Sequence, residues 1–264
     1  MAVLRSRQPA VAGTFYPQDA ARLQEQVHAY INSATPNRQP RPPRGLIAPH
    51  AGYAYSGSTA GAAYKSLIRS DANIQRVLLL GPSHYVSFAG LALSHFDCFT
   101  TPLGEVPVDA AAIAMLESFS QVQFLEAAHE HEHCLEVHLP FLQETLGNFN
   151  LVPIVIGSAT AEQVAAVIHA LWNSQTLVVA SSDLSHYLDY DTACSIDAQT
   201  CAKIQHMDYQ NISLQEACGA RAICGLLKEA DDQQMTITTL MLLNSGDTAG
   251  DRQRVVGYGA WSLH

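Results

Sequence analysis

Gly45-Leu-Ile-Ala-Pro-His50-Ala-Gly-Tyr-Ala-Tyr-Ser-Gly57 is the stretch that decides the fold. An apolar run stops at a proline, and a histidine follows it directly. The same grammar returns at Val77-Leu-Leu-Leu-Gly-Pro-Ser-His84. Strands of a parallel sheet are covered on both faces and so read as continuous apolar runs. Ligands collect beyond the carboxyl ends of such strands. Two histidines placed there can meet in one cleft, where neutral imidazoles are the commonest metal ligands. The competing reading is two unrelated loop histidines.

Working outward, strand and helix patterns alternate. Residues 8–17 read as an ordered extended segment and 19–33 as a helix, with Leu23, Val27, Tyr30 and Ile31 at helical spacing. Residues 45–48 form the first strand. Gly52 and Gly57 then suggest a tight turn before a small-residue helix over 59–68. Further strands are expected at 76–80, 90–93, 151–156 and 176–180. Helices are expected at 109–119 with Asp109 as N-cap, 134–146 with Pro140 near its start, 161–172, 191–206 and 213–229. Residues 235–243 and 252–262 read as closing antiparallel strands. The alternation argues for a single domain over 1–264: an α/β sandwich of three layers, with a mixed, mostly parallel central sheet and helices on both faces.

Composition bounds the function. Of 264 residues, 48% are hydrophobic and 14% charged, enough apolar material for a sizeable core. Net charge is −10 and no Lys/Arg run stands out, which disfavours nucleic acid as a partner. No apolar stretch approaches the roughly 20 residues of a membrane span. The N-terminus lacks the apolar core of a signal peptide, so a cytoplasmic location is expected. Six scattered cysteines without a C-x-x-C pair are expected to be free thiols.

Chemistry-bearing residues gather at strand ends. Ser181-Ser-Asp183-Leu-Ser-His186 follows a strand, so Asp183 reads either as a turn residue or as an acid/base partner that orients His186. Four of the twelve histidines lie in 129–138. His129-Glu-His-Glu-His133 matches H-E-x-x-H, the zinc-peptidase pattern, provided one helix presents both histidines. It reads equally as a solvated polar stretch, or as a cleft edge formed with Glu136 and His138. Cys218 precedes an apolar helix, a position that lowers a thiol's pKa and makes it a candidate third metal ligand. The alternative is a buried structural cysteine. Tyr53 and Tyr55 are placed to line a substrate entrance. No serine sits in G-x-S-x-G, which argues against a hydrolase of that kind.

Six motifs then occur in order: Gln8-Pro-Ala-Val-Ala-Gly-Thr-Phe-Tyr-Pro17, Ala48-Pro-His-Ala-Gly-Tyr-Ala-Tyr-Ser-Gly57, Leu80-Gly-Pro-Ser-His84, Glu132-His-Cys-Leu-Glu-Val-His-Leu-Pro-Phe141, Ser181-Ser-Asp-Leu-Ser-His186 and Ala217-Cys-Gly219. Together they resemble the Memo (mediator of cell motility) family, whose prokaryotic members are called AmmeMemoRadiSam system protein B. The resemblance implies a fold similar to class III extradiol dioxygenases, which hold non-haem Fe(II) with two histidines and a carboxylate. It implies that His50, His84 and Cys218 form the metal pocket, with Asp183, His186 and His133 as further pocket residues and His138 in the wall. A thiolate ligand shifts metal preference towards copper or zinc, so the expected cofactor is a redox-active or divalent ion: Fe or Cu, with Zn as the other option. Dioxygenase activity does not transfer with the fold. The expected functions are a metal-dependent oxidoreductase or, as the resemblance also allows, a non-enzymatic adaptor that binds a peptide or protein in the cleft. Radical-SAM and AMMECR1-type proteins are the partners the family name implies. After Cys-Gly the family usually continues with Arg and Pro, whereas this chain has Ala220-Arg221-Ala222.

Overall fold

In the structure, a computed structural model describing residues 4–35, 42–68 and 73–264, most strands join one mixed nine-stranded sheet. The strands are β1 (Ser6–Arg7), β2 (Gly45–Ala48), β3 (Arg76–Pro82), β4 (Leu91–Leu93), β5 (Cys98–Thr101), β6 (Gly104–Pro107), β7 (Val122–Phe124), β8 (Asn150–Ile156), β9 (Thr176–Ser181), β10 (His186–Leu188), β11 (Ile237–Asn244) and β12 (Val255–Leu263). The helices are α1 (Ala20–Ser33), α2 (Tyr53–Lys65), α3 (Ala110–Leu116), α4 (Glu126–Glu130), α5 (Leu139–Leu146), α6 (Ala161–Leu171), α7 (Tyr190–Gln205) and α8 (Ala220–Asp232). The sheet runs β10-β12-β2-β9-β3-β8-β4-β7, with β11 also on β12. Its centre, β2-β9-β3-β8, is parallel. The closing strands β11 and β12 are antiparallel to each other, and β12 is antiparallel to β2. β1, β5 and β6 form a separate three-stranded sheet.

Side chains of a strand alternate between faces, and here both faces are buried. Leu46, Val77, Leu79, Leu177 and Val179 join a core with Leu23 and Val27 of α1, Ala60 of α2 and Phe141 of α5. Ile47, Leu78, Leu80, Val178 and Ala180 join the opposite core, with Val164 and Ile168 of α6 and Ile223 and Leu227 of α8. Each fully buried Leu or Val side chain stabilises the fold by ~1.5–3 kcal/mol. This is the three-layer α/β sandwich expected from the alternation.

Three helices differ from expectation. Helix α2 starts at Tyr53, not residue 59, and Gly57 lies inside it rather than in a turn. A Cβ on Gly57 would fall 2.4 Å from the ring of Tyr30, so the glycine lets α1 and α2 approach closely. The helix expected from residue 213 begins only at Ala220. Ser213 and Glu216 instead close a local turn, the Ser213 N–H and hydroxyl both donating to the Glu216 carboxylate. The segment expected as one helix over 134–146 is a 3₁₀ turn (Glu136–His138) leading into α5, with Pro140 in its first turn.

Candidate metal centre at the carboxyl ends of the central strands

The three neighbouring strands β2, β9 and β3 each deliver a polar residue two positions past their last residue: His50, Asp183 and His84. His133 arrives from the segment between α4 and α5. Among the described residues, ligating atoms of His50, His84 and His133 all lie within 4.8 Å of one another. The His84 and His133 rings stack with centroids 4.7 Å apart, and the His50 ring stands edge-on to both. Cys218 Sγ lies 3.3 Å from His50 Nε2.

The hydrogen bonds fix which nitrogen of each ring is available. Ser181 Oγ, at the end of β9, donates to the Cys134 carbonyl at 2.7 Å. A hydroxyl has one proton and two lone pairs, so its contacts with His50 Nδ1 (2.6 Å) and His138 Nε2 (2.8 Å) must both be accepted bonds. His138 Nδ1 in turn accepts from the Tyr64 hydroxyl at 2.8 Å. The proton of His50 therefore sits on Nδ1, and its Nε2 lone pair faces Cys218. His84 is fixed in the same way: Nδ1–H donates to Glu132 Oε1 at 2.8 Å, leaving Nε2 free. Carboxylate partners behind ligand histidines are a regular feature of metal sites.

Glu132 binds more than a ring. Its carboxylate also accepts the backbone N–H groups of His84 (2.7 Å), His133 (3.0 Å) and Cys134 (3.1 Å). Burial pushes the Glu132 carboxyl up, but these bonds and the His84 ring outweigh it and hold it below its usual range. Burial, followed by the neighbouring imidazoles, keeps His50 neutral, its pKa far below the ordinary value. Burial also pulls His133 down to about 4 and His138 down to about 3. Neutral imidazole is the ligating form.

Cys218 corrects the expectation of a lowered thiol pKa. Burial, then the Asp183 charge, pushes it up to about 12, and bonds from the Asp183 and Gly219 backbone and the Ser182 hydroxyl do not offset this. Its backbone is nonetheless firmly placed despite the Ala220-Arg221 departure: Cys218 N–H donates to the Asp183 carbonyl (3.2 Å) and Gly219 N–H to Ser182 Oγ (2.9 Å). A Cβ on Gly219 would lie 2.2 Å from the Ser181 carbonyl oxygen, so only glycine fits there.

A cleft of about 710 Å³ opens onto His50, His84, His133, Asp183 and His186, with Phe15, Tyr55, Tyr187 and Tyr258 in its wall. His186 Nδ1 donates to the Leu184 carbonyl at 2.7 Å, so this carbonyl, rather than Asp183, orients the ring. Asp183 Oδ1 accepts the His50 backbone N–H at 2.8 Å, and burial, working against that bond, pushes its carboxyl up to about 6. Tyr55 is 43% exposed at the mouth. Tyr53 is 2% exposed, its hydroxyl donating to the Val137 carbonyl, so it does not line the entrance. Residues two apart on a helix do not share a face. His138 is likewise behind the site, joined to it through Ser181, and not in the cleft wall. The H-E-x-x-H reading fails because α4 ends at Glu130: His129 is buried with Nε2 on the Ala92 carbonyl, and His133 lies beyond the helix. Sequence reading missed Ser181, Glu132, Tyr64 and Phe15, the last packing on His133 with ring centroids 4.9 Å apart. A signal for Glu132 was present: it directly precedes a pocket histidine.

The Memo-like protein profile matches residues 7–262. The chain belongs to the Memo-like family. It is 37% identical to a MEMO1 family protein of Sulfolobus acidocaldarius over 276 residues, covering 96% of this chain and 97% of that one. It is 34% identical to a MEMO1 family protein of Methanothermobacter thermautotrophicus, with 96% and 98% covered. Among solved structures, an uncharacterized protein of Escherichia coli K12 (JW3007) superposes with a TM-score of 0.54 over 83% of this chain and 99% of the other, at 14% identity; this likeness is one of fold. The cluster of His50, His84 and His133 could hold a metal ion. No helix of the described residues is long and apolar enough to cross a membrane.

Proposed function

We propose that this Memo-like chain binds a metal ion through His50, His84 and Cys218, with His133 as a further histidine of the same cluster, and carries out oxidoreductase chemistry on a small organic substrate in the cleft. The supporting observation is the pair of fixed tautomers, which present Nε2 of both His50 and His84 as lone pairs while Cys218 Sγ stands 3.3 Å from one of them. Two imidazoles and a sulfur fit iron or copper, and zinc as the non-redox option. Such an ion, when bound, supplies redox or Lewis-acid chemistry. The chain's own residues do the rest. His186, with Nδ1–H tied to Leu184, keeps Nε2 as its basic nitrogen for taking a proton from a substrate hydroxyl. Asp183 holds the His50 backbone in place. Phe15 and Tyr55 border the space the substrate fills.

Metal content of anaerobically purified protein tests this reading. Loss of the ion in His50→Ala, His84→Ala and Cys218→Ala is expected, whereas unchanged occupancy in all three refutes the site. A second reading, an adaptor binding a peptide or a partner protein such as a radical-SAM or AMMECR1-type protein, draws on the tyrosines of the cleft: Tyr55 and Tyr187 are 43% and 63% exposed. Partner capture that needs Tyr187 and survives complete metal removal would favour it.

A further inference from the structure

The histidine cluster has a second opening. His84 lines the front cleft and also a rear groove of about 410 Å³, and Cys218 forms part of that rear groove. Arg221 lies in the groove wall with them. It also borders the adjoining hollow, which shares Leu214 with the groove, so it stands where the two meet. Arg221 is half-buried. Among the described residues its guanidinium has no carboxylate within ion-pair distance and makes no hydrogen bond. By contrast Arg7, Arg76, Lys203 and Lys228 are all paired with carboxylates. Its position does not help its own helix either. Arg221 is the second residue of α8, whose first turn has no acidic residue, and a cation there opposes the helix dipole. A guanidinium without an ion-pair partner, sharing a groove of this size with a thiol and an imidazole and a neighbouring hollow with Glu162, has the character of a binding group for an anion.

We propose that the rear groove is an anion-selecting entrance to the centre, in which Arg221 binds the charged end of a small carboxylate and brings its other end against Cys218 and His84. The entrance concerns the same cluster as the metal reading, but it is tested in metal-free protein, so each reading can fail while the other stands.

The probes are iodoacetate and iodoacetamide, an anionic and a neutral reagent of nearly equal size. In both, the Cys218 sulfur displaces iodide: the S–CH₂ bond forms, the C–I bond breaks, and the thiol proton goes to solvent. The thiolate fraction is common to both reactions, so the ratio of their rates at Cys218 reports the local charge. Site-resolved mass spectrometry reads the ratio, with exposed Cys194 as the internal reference. In wild-type protein the iodoacetate/iodoacetamide ratio at Cys218 is expected to exceed that at Cys194. In Arg221→Gln it should fall about fivefold, the effect of one nearby charge in a wet groove. Arg221→Lys should keep most of the preference, and molar salt should abolish it in the wild type, a measurement that needs no variant. The proposal is overturned if the wild-type ratio matches that at Cys194, if salt leaves it unchanged, if Gln and Lys behave alike, or if Cys218 reacts with neither reagent.

Discussion

Removing one hydroxyl should separate metal affinity from the ligands themselves. Ser181 is fully buried and touches no bound ion in the proposed arrangement, yet it accepts from His50 and His138 and donates to the Cys134 carbonyl. Ser181→Ala leaves two ring N–H groups and one carbonyl without that partner. Each buried polar group left unpaired costs ~1–3 kcal/mol. Some of this is recovered as the His50 ring changes tautomer, so a net loss of about 2–5 kcal/mol is expected. The change of tautomer has its own consequence. With no acceptor at Nδ1, the His50 proton is free to occupy Nε2, where it blocks the lone pair. Loss of a hydrogen-bond partner behind a ligand histidine lowers metal affinity by ~10–100-fold. Urea unfolding of metal-free protein gives the first quantity, and titration against a competing chelator gives the second. Affinity within twofold of wild type in a folded Ser181→Ala protein would refute the tautomer argument, even if stability fell as expected.

Other outcomes follow from the same geometry. Gly219→Ala forces a Cβ to within 2.2 Å of the Ser181 carbonyl oxygen, so it should destabilise the protein by at least ~1–3 kcal/mol and displace Cys218, seen as a lower melting temperature together with lost metal retention. In metal-free protein at neutral pH, Cys218, with its thiol pushed up to about 12, should react with iodoacetamide far more slowly than exposed Cys194; equal rates would contradict the burial argument. Glu136 is fully buried, ion-paired with Arg7, and accepts the Ala10 and Val11 amides and the Tyr16 hydroxyl. Glu136→Ala strands the Arg7 charge, a loss of about 3–5 kcal/mol. Hydrogen exchange should then rise over residues 8–17, and no change there would show that Glu136 does not hold that segment.

The sequence was most legible where one physical demand acts alone. Residues of β2, β3, β8 and β9 must be apolar on both faces, so the strands stand out as runs, and the prolines that end β2 and β3 locate His50 and His84 at the sheet edge. The three-residue strands β7 and β10 carry no such pattern, because they are pairings of short segments whose faces are only partly covered. Helix α2 was misplaced because Gly52 and Gly57 have the letters of a turn. Only the ring of Tyr30, 27 positions away from Gly57, explains why glycine is needed inside a helix. The same difficulty applies to the site. A histidine after a strand declares itself, but Ser181 and Glu132 act through hydrogen bonds to residues 131 and 48 positions away, and nothing local distinguishes them from a strand end or a polar turn. Tyr53 and Tyr55 were equivalent as letters until the start of α2 decided which faced inward.

Glu132 gives the centre one more property. A single carboxylate clasps the amides of His84, His133 and Cys134 as well as the His84 ring, and so joins two stretches of chain that carry different members of the cluster. The spacing between those imidazoles is therefore set by the folded protein before anything occupies it. Little reorganisation would be left for an incoming ion to drive, and a chelator that stripped such an ion would leave the cluster in the same shape. Exchange of one metal for another would then be a matter of supply and of ligand chemistry, with the backbone a bystander.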